Sequence, residues 1–141
     1  MRIITGSARG TTLKTLPGEE TRPTAERVKE AMFSAVQFEL GDRSVLELFG
    51  GCGQLSLEAL SRGAESATIV DASRAACEII KENAVKTKLF DRCRVVVVRD
   101  LPAPEEAALA AYAPAVPETA LLLVVQRGAA AKTSPLFKGL A

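Results

Sequence analysis

The stretch Val45-Leu46-Glu47-Leu48-Phe49-Gly50-Gly51-Cys52-Gly53-Gln54-Leu55-Ser56-Leu57-Glu58-Ala59-Leu60 leaves few options for the fold around it. A short apolar run stopped by glycines predicts a buried strand, and the apolar positions Leu55, Leu57, Ala59 and Leu60, with Glu58 and Arg62 interleaved, predict a helix after it. The turn between them holds Gly50, Gly51 and Gly53, which permit positive φ and carry no Cβ to keep a ligand off the backbone. Such a turn either receives a ligand or simply joins strand to helix. Glu47 narrows the ligand, because a carboxylate at the carboxyl end of a strand repels phosphate and attracts an amino group or a sugar hydroxyl. That chemistry favours S-adenosylmethionine, which carries an ammonium and a ribose and no phosphate. The dinucleotide fingerprint G-x-G-x-x-G fits less well, since Ser56 stands where its third glycine belongs.

Downstream, residues 66–70 (SATIV) predict a second strand ending in Asp71, and Ser73 is placed to cap a helix reaching Lys86. Residues 94–98 (RVVVV) predict a third strand with Asp100 just beyond it. Strands alternating with helices at this spacing call for an α/β architecture, a parallel sheet with right-handed crossovers. Glu47, Asp71 and Asp100 then fall along one edge of the sheet, the edge where such sheets bind ligands, although each alone could be a solvated strand end.

Ahead of this unit, residues 1–15 predict a β-hairpin made of runs 2–5 and 11–14 around Gly6 to Gly10. Arg2, Arg9 and Lys14 stand in it with no acidic residue, an excess that suits either phosphate contact or a solvated face. The formal net charge of the chain is only +1, so a nucleic-acid partner would have to be met locally. A loop rich in proline and glycine leads to Thr24, an expected N-cap, and to an amphipathic helix over 25–39 within the segment 24–40, its apolar stripe turned to the core. Beyond Asp100 the composition shifts towards alanine and proline. A helix over 104–112 and a strand over 120–125 are expected there, while residues 126–141 lack a sustained period and read as a poorly ordered tail. With 141 residues, one domain over 1–125 is the expectation, its cofactor-binding sheet spanning 44–125.

The sequence contains no histidine, which removes the commonest general base and every Ser-His or Cys-His pair. Cys52, Cys77 and Cys93 form no C-x-x-C, so neither a metal site nor a disulfide framework is expected, and free thiols suit a reducing cytoplasm. No long apolar segment follows Met1-Arg2-Ile3-Ile4, so neither a signal peptide nor a membrane span is expected, and a cytoplasmic monomer is the reading.

Taken together, MRIITGSARGTTLKT, TRPTAERVKEAMF, VLELFGGCGQLSLEALSRGAES and ATIVDASRAA resemble the RsmD family of bacterial 16S ribosomal RNA guanine-N2 methyltransferases over residues 1 to about 100. The resemblance implies a Rossmann-like S-adenosylmethionine-dependent methyltransferase fold, here with a sheet incomplete on its C-terminal side, and an N-terminal hairpin that helps hold ribosomal RNA or a small-subunit assembly intermediate. It places the methionine part of the cofactor on Glu47, Phe49, Gly50, Gly51 and Gly53, the ribose on Asp71 and the adenine amino group on Asp100. Thr21, Arg22, Pro23 and Thr24 correspond to a segment near cofactor and target base. The implied reaction is methyl transfer to the exocyclic amine of a guanine. That amine is a poor nucleophile because its lone pair is delocalised, so the family holds its hydrogens with an Asp/Asn-Pro-Pro-Tyr/Phe motif after the fourth strand. Gln126-Arg127-Gly128 stand at that place here, and the nearest echo is Asp100-Leu101-Pro102, so no catalytic residue is assigned. Three functional classes follow: the methyltransferase, a non-catalytic remnant that binds cofactor or RNA, and an NAD-dependent oxidoreductase, the last disfavoured by Ser56.

Overall fold

A computed structural model describes residues 1–17, 23–97 and 120–122 of the chain. In order, α1 spans Pro23–Ala35, β1 Ser44–Leu48, α2 Gln54–Ser61, β2 Ser66–Asp71, α3 Arg74–Lys86, a 3-10 turn Phe90–Arg92, β3 Cys93–Val97 and β4 Ala120–Leu122. The four strands form one sheet in the order β3-β2-β1-β4, every pair parallel, with Glu47 opposite Ile69 and Ile69 opposite Val95. This is the α/β architecture that the strand-helix alternation predicts.

The core forms where apolar positions of the strands meet the inner stripes of the helices. Val45, Ala67 and Ile69 from the strands pack with Phe33, Leu57, Leu60, Ile80 and Ala84, and Ile3 and Leu13 from the N-terminal segment complete the same cluster. Ser73 caps α3 as expected, its side chain accepting the Ala76 N–H. The start of α1 lies one residue ahead of the expected cap Thr24, at Pro23, whose fixed φ and missing N–H suit a first helical position. The helix ends at Ala35, and the chain then turns so that Leu40 enters the core.

The N-terminal segment pairs its two arms antiparallel as expected of a hairpin, but over a shorter stretch than runs 2–5 and 11–14. Its two arms meet in a single antiparallel bridge, Arg2 with Thr12. Backbone bonds from Leu13 to Met1, from Ile3 to Thr11 and from Gly10 to Ile3, at 2.8 to 3.0 Å, join the arms. Beyond Ile3 the amides are taken elsewhere: the N–H groups of Ile4 and Thr5 donate to the Glu58 carboxylate at 2.8 and 3.0 Å, and that of Ser7 to the Ser61 carbonyl at 2.8 Å. The segment is therefore a strap laid on α2. Gly6 makes the crossing possible, with φ +86° and a backbone so close to Ser61 that a Cβ would collide with its carbonyl.

The strand expected over 120–125 is seen as β4, whereas the helix expected over 104–112 and the tail over 126–141 lie outside the described residues. Among the described residues, no helix is long and apolar enough to cross a membrane.

Candidate cofactor site

Strand order steps away from β1 in both directions, to β2 and β3 on one side and to β4 on the other. Such a switch point opens a crevice at the carboxyl ends of the strands. The turn that follows β1, residues 49–53, stands at that crevice.

Three residues of the turn are left-handed: Phe49 at φ 62°, Gly51 at 58° and Gly53 at 76°. Gly50 is not, and its glycine has a different cause from the one expected of it. Its N–H donates to the Val70 carbonyl at 2.9 Å, so close to β2 that a Cβ would strike Ile69 Cγ2. At Gly51, by contrast, a Cβ would project into open space.

Two carboxylates flank the turn. Asp71 at the end of β2 accepts the Gly51 N–H at Oδ2 and the Ser73 N–H at Oδ1, both at 2.8 Å. A carboxylate oxygen has two acceptor positions, so each keeps one for a ligand. Glu47 is buried, and its Oε2 accepts the Ser56 N–H at 3.0 Å. Burial pushes its carboxyl up from 4.5 to about 7; the nearby charge of Asp71 adds to the rise, and hydrogen bonds from Ser56 and Leu55 oppose it. The buried Ser56 hydroxyl lies close enough to the Glu47 carboxyl to oppose this rise, although its geometry falls short of a hydrogen bond to any of the described residues. None of Glu47, Phe49, Gly50, Gly51, Gly53 and Asp71 is cationic, so the donor set fits a ligand bearing an ammonium and hydroxyls better than one bearing phosphates.

The other expected site residues are placed unevenly. Thr21, Arg22 and Asp100 lie outside the described residues, while Pro23 and Thr24 form the first turn of α1. Arg2, Arg9 and Lys14 all sit on the strap. Their acid-free sequence is not acid-free in space: the Arg2 guanidinium lies 3.9 Å from Glu26, and the Lys14 ammonium 2.7 Å from Glu82. Arg9 is exposed, and among the described residues no acid pairs with it.

Pattern reading missed the residues that hold the strap. Glu58, read as a polar position interleaved in a helix, is wholly buried; besides the Ile4 and Thr5 amides it accepts from Arg62 Nε at 2.8 Å and lies 3.4 Å from Lys29 Nζ. Lys29, itself 2% exposed, donates to the Arg2 carbonyl at 2.6 Å. The i,i+4 spacing of Glu58 and Arg62 was the one signal available.

A family described as conserved hypothetical protein 95 matches residues 1–111. YlbH of Bacillus subtilis (strain 168) is 39% identical over 95 residues, covering 67% of this chain and 52% of its own length. Ribosomal RNA small subunit methyltransferase D of Escherichia coli (strain K12) is 38% identical over 88 residues, covering 62% of this chain and 44% of its own. The solved structure of yhhF from Escherichia coli superposes with a TM-score of 0.63 at 38% identity, over 70% of this chain and 54% of that one. The chain thus spans about half the length of the curated relatives it matches. Its fold is that of the S-adenosylmethionine-dependent methyltransferases. On the match over residues 1–111 and these relatives, the chain belongs to the conserved hypothetical protein 95 family, the family of RsmD.

Proposed function

We propose that this chain holds S-adenosylmethionine at the turn after β1 and serves methyl transfer to RNA, with the exocyclic amine of a guanine in small-subunit ribosomal RNA as acceptor. The observation that carries the reading is the Gly51 backbone, left-handed, open above and tied by its N–H to Asp71. When bound, the cofactor supplies a sulfonium-bound methyl group to an incoming nitrogen lone pair. Asp71 keeps one acceptor position on each oxygen for the two ribose hydroxyls, and Glu47 gives a negative charge to the ammonium. Gly50, Gly51 and Gly53 let the cofactor approach the backbone beside the exposed Phe49 ring. By the family resemblance, Asp100 is assigned the adenine amino group, and Thr21, Arg22, Pro23 and Thr24 the segment near the cofactor and target base. RNA is met by the strap through Arg2, Arg9 and Lys14. The printed name of the Escherichia coli relative supports ribosomal RNA as the substrate class.

A second reading, a chain that binds cofactor or RNA without turnover, is favoured by one sequence fact: no Pro-Pro dipeptide occurs anywhere in the 141 residues. Two measurements decide. Calorimetric titration should detect S-adenosylhomocysteine and not NAD; binding of NAD alone would overturn the cofactor assignment. Labelled methyl transfer to partly assembled small-subunit RNA should then give N2-methylguanine, and cofactor binding without incorporation selects the second reading.

A further inference from the structure

Asn83 lies in the last turn of α3, 1% exposed, and its side-chain amide joins two segments far apart in the sequence. Its Oδ1 accepts the Lys14 N–H at 2.8 Å, and its Nδ2 donates both to the Lys14 carbonyl and to the Cys52 carbonyl at 2.9 Å. Both Nδ2 hydrogens are used, and the opposite orientation of the amide would aim an oxygen at two carbonyls, so the partners fix it. A buried amide this fully satisfied is costly to replace, because an apolar side chain of the same size would leave a buried N–H and two carbonyls without their partner.

The two segments are the ones assigned different tasks above. Cys52 stands between Gly51 and Gly53 in the turn, and Lys14 closes the strap. Of the other side chains of α3, Lys86 Nζ reaches the Thr12 carbonyl at 2.6 Å and Glu82 reaches Lys14 Nζ, both on the strap, while the apolar Ile80 packs under Gly50 and Gly53 of the turn. Asn83 alone hydrogen-bonds to both segments among the described residues. Beside Lys14 on the other arm of the strap, where the Met1 carbonyl accepts the Leu13 N–H, the Cys52 thiol touches Met1 Sδ at 3.4 Å, which brings turn and strap together a second time. Restricting the Cys52 peptide therefore restricts the Asn83 amide, and through it the Lys14 backbone.

We propose that Asn83 is a positioning residue that couples the turn after β1 to the N-terminal strap, so that a ligand settling on the turn also stiffens the strap. This rests on the reading of the turn as the cofactor site. By reciprocity, RNA held on the strap tightens the turn on its cofactor.

Amide hydrogen exchange of the full chain, with and without S-adenosylhomocysteine, tests it. Exchange at residues 51–53 should slow on binding, and exchange at the Lys14 amide should slow with it by at least about fivefold, the lower end of ordinary couplings between sites. In Asn83→Ser, whose side chain is too short to span the gap, slowing should persist at 51–53 and vanish at Lys14. Should that variant fail to fold, Asn83→Asp keeps the size, loses both donated bonds and should show the same split; should neither fold, the unaltered chain decides by itself. Slowing confined to 51–53 in the unaltered chain, or retained at Lys14 in a folded Asn83 variant, overturns the proposal. No slowing at 51–53 overturns the cofactor reading, and this one with it.

Discussion

Glu47 is a carboxyl group that the fold has turned into a weak acid. Its value rises from 4.5 to about 7 on folding, chiefly by burial. Between those two values the folded chain holds a proton that the unfolded chain has released, so stability falls as pH rises through that window and levels off above it. The full fall is about 3 kcal/mol, at 1.36 kcal/mol per unit. Glu47→Gln should abolish this fall, which urea unfolding of both chains at either end of the window would reveal; equal pH dependence in the two would mean that Glu47 is not the group responsible. The same protonation opposes an ammonium ligand. Affinity for S-adenosylhomocysteine should rise towards neutral pH by up to about tenfold per unit and then flatten, and the variant should bind weakly at every pH. Asp71 differs, since both its oxygens already hold backbone amides and keep a position free. Charge-assisted bonds to hydroxyls are worth roughly 1.5 to 3 kcal/mol each, so Asp71→Ala should lose at least about tenfold in affinity. Unchanged affinity by calorimetry in a folded Asp71→Ala chain would remove Asp71 from the site.

At the scale of elements, what could be read from sequence was what neighbours in sequence decide. β2, the Ser73 cap and α3 follow from alternation, a hydroxyl and a helical stripe within twenty or so residues, and the structure has them where the pattern puts them. The hairpin was legible but not its length, because beyond Ile3 its amides are taken by Glu58 and Ser61, more than 50 positions away. Gly50 was recognised as special for the wrong reason, since its crowding comes from Ile69 on another strand. Glu58 was read only as a polar residue interleaved in the helix, because an acid's partners cannot be counted from spacing. Its buried network makes a test at this scale. Glu58→Ala strands the Lys29 ammonium and the Ile4 and Thr5 amides in the interior, a loss of about 3 to 5 kcal/mol. The strap should come loose with it, so trypsin should cut after Arg9 much faster than in the unaltered chain. Lys29→Met combined with Glu58→Gln removes both charges at once and should cost clearly less than the two single changes added together. Additive costs in urea unfolding would show that Lys29 and Glu58 do not act as a pair.

For the whole molecule, the parallel sheet and the gathering of Glu47 and Asp71 at one edge were legible, because topology follows from the order of elements; the pairing of charges was not, because it depends on which helices the strap crosses. That difference changes what the basic residues can do. With a net charge of +1 the chain has little long-range field to draw in RNA, so contact rests on individual cations. Lys14 must leave Glu82, 2.7 Å away, before it can take a phosphate, and Arg2 is weakly held by Glu26 at 3.9 Å, whereas Arg9 has no acid to leave among the described residues. The three are therefore unequal, although the sequence presents them alike. Each phosphate contact contributes roughly 0.7 to 0.9 to the salt slope of log affinity. Arg9→Ala should lower the slope by about that amount, and Lys14→Ala by less, because the lysine gives up one partner as it gains another. Glu82→Gln should act in the opposite direction, freeing Lys14, raising low-salt affinity and steepening the slope. S-adenosylhomocysteine binding should be unchanged in Arg9→Ala, since the cofactor carries no phosphate. Filter-binding titrations over a salt series check all three variants together. Slopes that fail to move in any of them would place the RNA on another surface, and a Lys14→Ala effect larger than that of Arg9→Ala would mean that the Glu82 contact gives way without cost.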